Sequence, residues 1–129
     1  AQAAQRLHGA TQVVAAIDAR MAEVYIGSFV LQNGLMQPGC SEVAIKPQDI
    51  SDFGLSGEVH AVGTGWQTYA EALLQKQPAV IAADILYPSA QDMLTLALPA
   101  LAAGQFIAAE LAEPVYVRDE VTWQKLPGR

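Results

Sequence analysis

Apolar and polar positions follow two rhythms along this chain, first strand-like and then a strand–helix alternation. Val13 to Ile17 (VVAAI) is a short, nearly continuous apolar run, the mark of a strand buried on both faces. Asp18-Ala19-Arg20-Met21 follows as a tight connection. From Glu23 to Gln32 (EVYIGSFVLQ), β-branched and aromatic residues are dense enough to predict a second strand. Asn33-Gly34 predicts a hairpin, because a type I′ turn needs positive φ at both central positions. A third strand is expected from about Leu35 to Lys46, broken near Pro38-Gly39, where proline cannot donate to a ladder. Pro47 suits a first helical position, so Pro47 to Phe53 reads as a short helix stopped by Gly54. Val59 to Val62 (VHAV) predicts a fourth strand entering the turn Gly63-Thr64-Gly65. Thr68 and Glu71 have capping-box spacing and open a helix carrying Tyr69, Leu73 and Leu74. A fifth strand falls at Ala79 to Ala82, extending towards Leu86. Ser89 and Asp92 cap a last helix through Met93, Leu94, Leu96, Ala97 and Leu101 to Gly104, where Pro99 should kink it or remove a backbone bond. Glu113 to Val117 reads as extended, and Val121 to Arg129 as a tail.

The resulting order, β-β-β-α-β-α-β-α, is the ribonuclease-H-like arrangement: an α/β fold with a mixed five-stranded sheet and helices on its faces. Duplicated, the same layout builds the superfamily of actin, sugar kinases and chaperone ATPases. Fold alone does not decide function.

The chain has 129 residues, the size of one ordinary domain. Hydrophobic residues make up 52% and charged residues 16%, a globular composition that argues against disorder. The formal charge of −6 repels phosphate, so no direct nucleic-acid binding by this chain is expected. Cys40 is the single cysteine, which excludes an internal disulfide. No apolar run reaches the roughly 18 residues of a membrane-spanning helix, and the start lacks a basic stretch followed by an apolar one. A cytoplasmic location without membrane contact is the expectation. The chain also lacks an initiator methionine, and Ala1 to Leu7 (AQAAQRL) reads as the uncapped tail of a helix, so a fragment is expected.

Candidate chemistry is sparse. In ATPases of this layout, backbone amides at the first hairpin cradle phosphate, which requires glycine because a β-carbon blocks close approach. Here Asp18 is followed by Ala19, Arg20 and Met21, so the reading is a structural turn with Asp18 capping backbone amides. Val62-Gly63-Thr64-Gly65-Trp66 lies where nucleotide folds approach their ligand, yet the glycines also serve a tight turn and Trp66 can simply pack. A two-metal nuclease needs converging carboxylates; Asp18, Asp49, Asp52, Glu58 and Asp92 are the candidates, with Asp92 fitting better as a cap. His8 and His60 lack ligand spacing, Cys40 has no nearby histidine, and Ser28, Ser56 and Ser89 lack a GxSxG context. No catalytic residue, metal ligand or cofactor is therefore assigned. Pro114-Val115-Tyr116-Val117-Arg118 is an apolar extended piece ending in a cation, and Arg118, Lys125 and Arg129 gather basic charge near the C-terminus.

Four stretches together resemble the TsaB (YeaZ) family: Ala15 to Tyr25 (AAIDARMAEVY), Val62 to Trp66 (VGTGW), Tyr87 to Ala97 (YPSAQDMLTLA) and Ala112 to Gly128 (AEPVYVRDEVTWQKLPG). The resemblance implies two ribonuclease-H-like halves, of which this chain matches the second. Residues 1–10 would then end an inter-domain helix, 11–112 form the C-terminal domain, and 113–129 form an extended segment. It implies a non-catalytic scaffold, a pseudoenzyme partner of the transferase TsaD. With the ATPase TsaE, that assembly transfers threonylcarbamoyl to adenosine in tRNAs reading codons that start with A. TsaD and TsaE would be engaged through the full-length protein, chiefly by its N-terminal half, and exposed apolar strands leave a homodimer open. The signature positions, structural or partner-facing, are Asp18, Arg20, Glu23, Tyr25, Gly63, Gly65, Trp66, Tyr116 and Arg118. The rival reading is a metal-dependent ribonuclease-H-like nuclease or a cryptic peptidase.

Overall fold

The computed structural model describes residues 1–118; the expected tail from Val121 to Arg129, with Lys125 and Arg129, lies outside the described residues. Helix α1 (Gln2–His8) ends at Gly9, whose φ of 66° lets the chain reverse and its amide return to the helix. The strands are β1 (Gln12–Arg20), β2 (Glu23–Gln32), β3 (Leu35–Pro38), β4 (Val43–Ile45), β5 (His60–Val62) and β6 (Val80–Ile81). Helix α2 (Thr64–Lys76) links β5 to β6, and α3 (Ala90–Ala102) follows.

The sheet runs β3-β2-β1-β5-β6, with β4 also on β2. β1 is antiparallel to β2 and parallel to β5, and β6 extends the parallel side. That is the ribonuclease-H-like order. Six strands occupy five positions because the expected third strand is cut in two: β3 pairs Phe29 to Gln32 of β2, while β4 pairs Val24 to Ile26. Between them the Gly39 amide donates to the Ser28 carbonyl at 2.8 Å. The Ser28 amide and hydroxyl both point to the Cys40 sulfur, at 3.4 and 3.1 Å.

Alternation along β1 explains its apolar run. Val14 and Ala16 face one core with Val24, Ile26, Val59, Ala61, Trp66 and Leu73. Val13 faces the opposite core with Ala3, Ala4, Met36, Val62 and Ile85. Helix α2 covers the first face and α1 the second.

Several local expectations need correction. The tight connection lies later than Asp18 to Met21: β1 continues to Arg20, with a register shift after Asp18, and the chain turns at Met21-Ala22. Arg20, Met21 and Ala22 all have left-handed φ near 60°, a conformation that costs L-residues roughly 1–2 kcal/mol each. The helix expected over Pro47 to Phe53 is one 3-10 turn, Pro47–Asp49; Ile50, Phe53 and Leu55 are drawn onto the core without a helix. Helix α2 begins at Thr64, a turn before the capping-box position, and bends at Tyr69, which has φ −126°. β6 spans two residues and does not extend to Leu86. Ser89 precedes α3 without a side-chain cap bond, and Asp92 is not a cap; α3 runs unbroken through Pro99, which forgoes a backbone donor. Glu113 to Val117, expected to be extended, joins no helix and no strand ladder among the described residues.

Candidate functional site

The candidate site gathers where β1 ends and α2 begins. Asp18 sits half-buried at this junction. Its amide donates to Thr64 Oγ1 at 3.1 Å, its Oδ1 accepts the Arg20 amide at 2.9 Å, and its Oδ2 accepts the Thr68 hydroxyl at 3.3 Å. The carboxylate thus satisfies the turn from within, as the spacing of the acid and the missing glycines suggested. Arg20 itself is exposed.

Gly63 and Gly65 have a steric purpose that the sequence could not separate from ligand approach. A β-carbon on Gly63, whose φ is 100°, would stand 2.3 Å from the Ala16 carbonyl oxygen. On Gly65 it would stand 2.9 Å from the Ala16 carbonyl carbon and β-carbon. Helix α2 can therefore lie against β1 only with bare α-carbons there. The Gly63 amide donates to the Ile85 carbonyl at 2.8 Å. Trp66 is buried, with its indole N–H donating to the Val14 carbonyl at 3.1 Å. It packs, and it also closes a backbone acceptor of β1.

The second gathering is at the far side of the same hairpin. Arg118 pairs with the Glu23 carboxylate and lies 5.5 Å from the centroid of the Tyr25 ring. It also donates to the Ala19 carbonyl at 3.4 Å. Residues 115–118 thereby bridge a groove of about 420 Å³ floored by Ala15, Ile17, Tyr25, Gly27 and Phe29, with Glu42 at its edge. Val115 and Tyr116 remain largely exposed. Of the signature residues, the structure joins Glu23, Tyr25 and Arg118 in one contact, and it joins Asp18 to the start of α2.

Other candidates do not converge. Asp52 caps the Gly54 amide at 2.9 Å. Asp92 is buried and receives both Nε and Nη2 of Arg6 at 2.8 Å, which ties α3 to α1. Its hydrogen bonds from Arg6 hold its carboxyl below the usual carboxylate range, against the opposing effect of desolvation. That pair was not legible in advance, because its partners lie 86 positions apart with no local spacing to mark them. His8 stacks on His60 at 6.1 Å between centroids and meets Asp84 at 3.0 Å; the His60 Nδ1 has no hydrogen-bond partner, and Glu58 Oε1 lies 3.9 Å from it. Ser28 is buried against Cys40 rather than against an imidazole. Among the described residues, no three His, Cys, Asp or Glu side chains are placed to hold a metal ion, and no helix is long and apolar enough to cross a membrane.

No protein-family model matches the chain. Curated relatives do. The whole chain is 44% identical to the tRNA threonylcarbamoyladenosine biosynthesis protein TsaB of Escherichia coli K12, and 39% identical to the Haemophilus influenzae protein of the same name. It spans 57% of the length of each. Two solved structures from Pseudomonas aeruginosa share the fold. One, described as an uncharacterized protein with similarity to peptidase YEAZ, gives a TM-score of 0.80 at 42% identity over 91% of this chain and 54% of its own. The other, YeaZ, gives 0.79 at 43% identity over 89% and 53%. Identity of 44% and 39% over the whole chain, with TM-scores near 0.8 to the YeaZ structures, shows that it belongs to the TsaB (YeaZ) family as its C-terminal part.

Proposed function

We propose that this chain is a non-catalytic scaffold portion of a protein that supports threonylcarbamoyladenosine synthesis in tRNA. The relatives' shared name, tRNA threonylcarbamoyladenosine biosynthesis protein, supports the pathway. The bonding of Asp18 supports the scaffold. Its carboxylate already occupies the Arg20 amide, in a turn whose residues carry β-carbons where a phosphate loop needs bare amides. The Gly63 amide is spent on Ile85.

In this reading the full-length protein works by engaging TsaD, with TsaE joining. Transfer to adenosine, in tRNAs that read codons beginning with A, takes place on TsaD. The acidic surface of this chain leaves tRNA contact to another subunit. Calorimetric titration of ATP into the chain should show no binding, and micromolar affinity would overturn the scaffold assignment. In a reconstituted modification assay with TsaD and TsaE, the chain alone should not restore product; full activity would refute the division of labour.

The nuclease alternative draws on Asp18 alone, since Asp49, Asp52, Glu58 and Asp92 do not join it. Loss of a Mg²⁺-dependent cleavage activity in Asp18→Asn would favour that alternative.

A further inference from the structure

Small residues leave a dip in the face of the sheet on which α1 lies. On that face β1 and β2 match Val13 with Phe29, Ala15 with Gly27 and Ile17 with Tyr25. Alternate residues of a strand point the same way, so a methyl group and a bare α-carbon lie between two bulky pairs. The groove of about 420 Å³ is this dip, and its floor is apolar. Ile17 beside it is still 48% exposed, so the helices on this face do not cover it. Above the dip stand apolar side chains with nothing to pack on. Val115 is 89% exposed and Tyr116 75%, although both line the groove.

We propose that residues 113–118 form a hinged strap that closes on this groove with the Tyr116 ring as its plug, and that opening the strap uncovers the groove. Closure brings an exposed aromatic ring and an exposed apolar floor out of water together, which drives it.

The tether selects the strap as occupant. Arg118 is anchored by the Glu23 carboxylate, the Ala19 carbonyl and the Tyr25 ring. Tyr116 stands two residues before that anchor, so its backbone stays within roughly 7 Å of it. Tyr25 belongs both to the anchor and to the groove. So short a link holds the ring at the groove at an effective concentration on the order of millimolar.

Little opposes the movement. Residues 113–117 join no helix and no strand ladder among the described residues, so closure breaks no backbone pairing. The ring of Pro114 fixes its own φ, which leaves Ala112 and Glu113 to turn on one side and Val117 on the other. Val115, Tyr116 and Val117 carry no charge into the groove, and the Tyr116 hydroxyl can stay at the wet rim.

Proton NOE measurements on the 129-residue protein should connect the Tyr116 ring to the Ala15 methyl and the Gly27 α-protons. In Arg118→Ala these contacts should weaken severalfold, while those of the buried Trp66 indole persist. The dye anilinonaphthalene sulfonate reports the open state. Its fluorescence should rise severalfold in Tyr116→Ala and return to the parent level when Ala15→Phe is added, because the new ring fills the dip. Should Ala15→Phe fail to fold, the NOE comparison of the parent with Arg118→Ala decides alone. Absence of the Tyr116 contacts, or dye fluorescence indifferent to Tyr116→Ala, overturns the proposal. The groove would then be left to another occupant, a second copy or the remainder of the family's longer protein.

Discussion

Adding a single methyl group at Gly63, Gly65 or Gly57 separates the two explanations for the glycines that open α2. At Gly57, φ is 81° and a β-carbon meets open space, so Gly57→Ala should cost only the left-handed penalty, about 1 kcal/mol. At Gly63, φ is 100° and the new carbon would stand 2.3 Å from a backbone oxygen that cannot rotate away. The dihedral penalty is then joined by roughly 1–3 kcal/mol of overpacking, for a total near 3 kcal/mol. Against the roughly 5–15 kcal/mol of an ordinary domain, that is a large loss. Gly65→Ala has no dihedral penalty, only the 2.9 Å contacts with Ala16, partly offset by about 1 kcal/mol of helix propensity. Urea unfolding followed by circular dichroism should therefore place the Gly63→Ala midpoint below those of both Gly57→Ala and Gly65→Ala, with one common slope. An Ala16→Gly background sharpens the test. It removes the β-carbon that Gly65→Ala strikes but leaves the oxygen that Gly63→Ala strikes, so coupling should appear in the first pair alone. If Gly63→Ala costs no more than Gly57→Ala, the close approach of α2 to β1 is not what requires these glycines.

Trp66→Phe keeps most of the apolar volume but loses the indole N–H bond to the Val14 carbonyl, which the β1–β5 ladder still pairs, so it should lose about 0.5–1.5 kcal/mol in urea unfolding. Ala22→Gly should raise stability by about 0.5–1 kcal/mol, because it relieves a left-handed residue at an exposed turn. Asp92 has a depressed folded-state pKa, so its contribution is fully present above the ordinary aspartate range and is lost as pH falls through the lower folded value. Urea midpoints should drop on acidification below about pH 4, and Asp92→Asn should flatten that part of the profile while lowering the midpoint at neutral pH. Arg118→Ala should loosen the strap over the groove, read as faster amide exchange at Glu23 and Tyr25 with little change in global unfolding.

The strand half of the fold was readable because its signals are local. The unbroken apolar run of β1 and the Asn33-Gly34 turn each specify their own geometry, and Asn33 and Gly34 indeed take positive φ. The errors arose where a distant partner overrides a local preference. Ile50 and Phe53 look like a helix face after Pro47, but the core takes them without one. Thr68-x-x-Glu71 imitates a helix start because Thr68 faces Asp18, fifty positions away, at a point where α2 has already begun. Asp92 looks like a cap and is instead pinned by Arg6. At the candidate site, the acid of the turn was visible, whereas Thr64 and Arg118 acquire their roles only when the chain brings them to the hairpin.

The split of one lane into β3 and β4 governs how this sheet meets a stranger. A foreign strand arriving along that rim finds four residues of ladder that end in a proline, a corner filled by glycine and a thiol, and three residues more. The opposite rim is two residues long. Neither border gives an invading backbone enough consecutive amides to seat a template, so growth into fibrils by strand addition is discouraged at both ends.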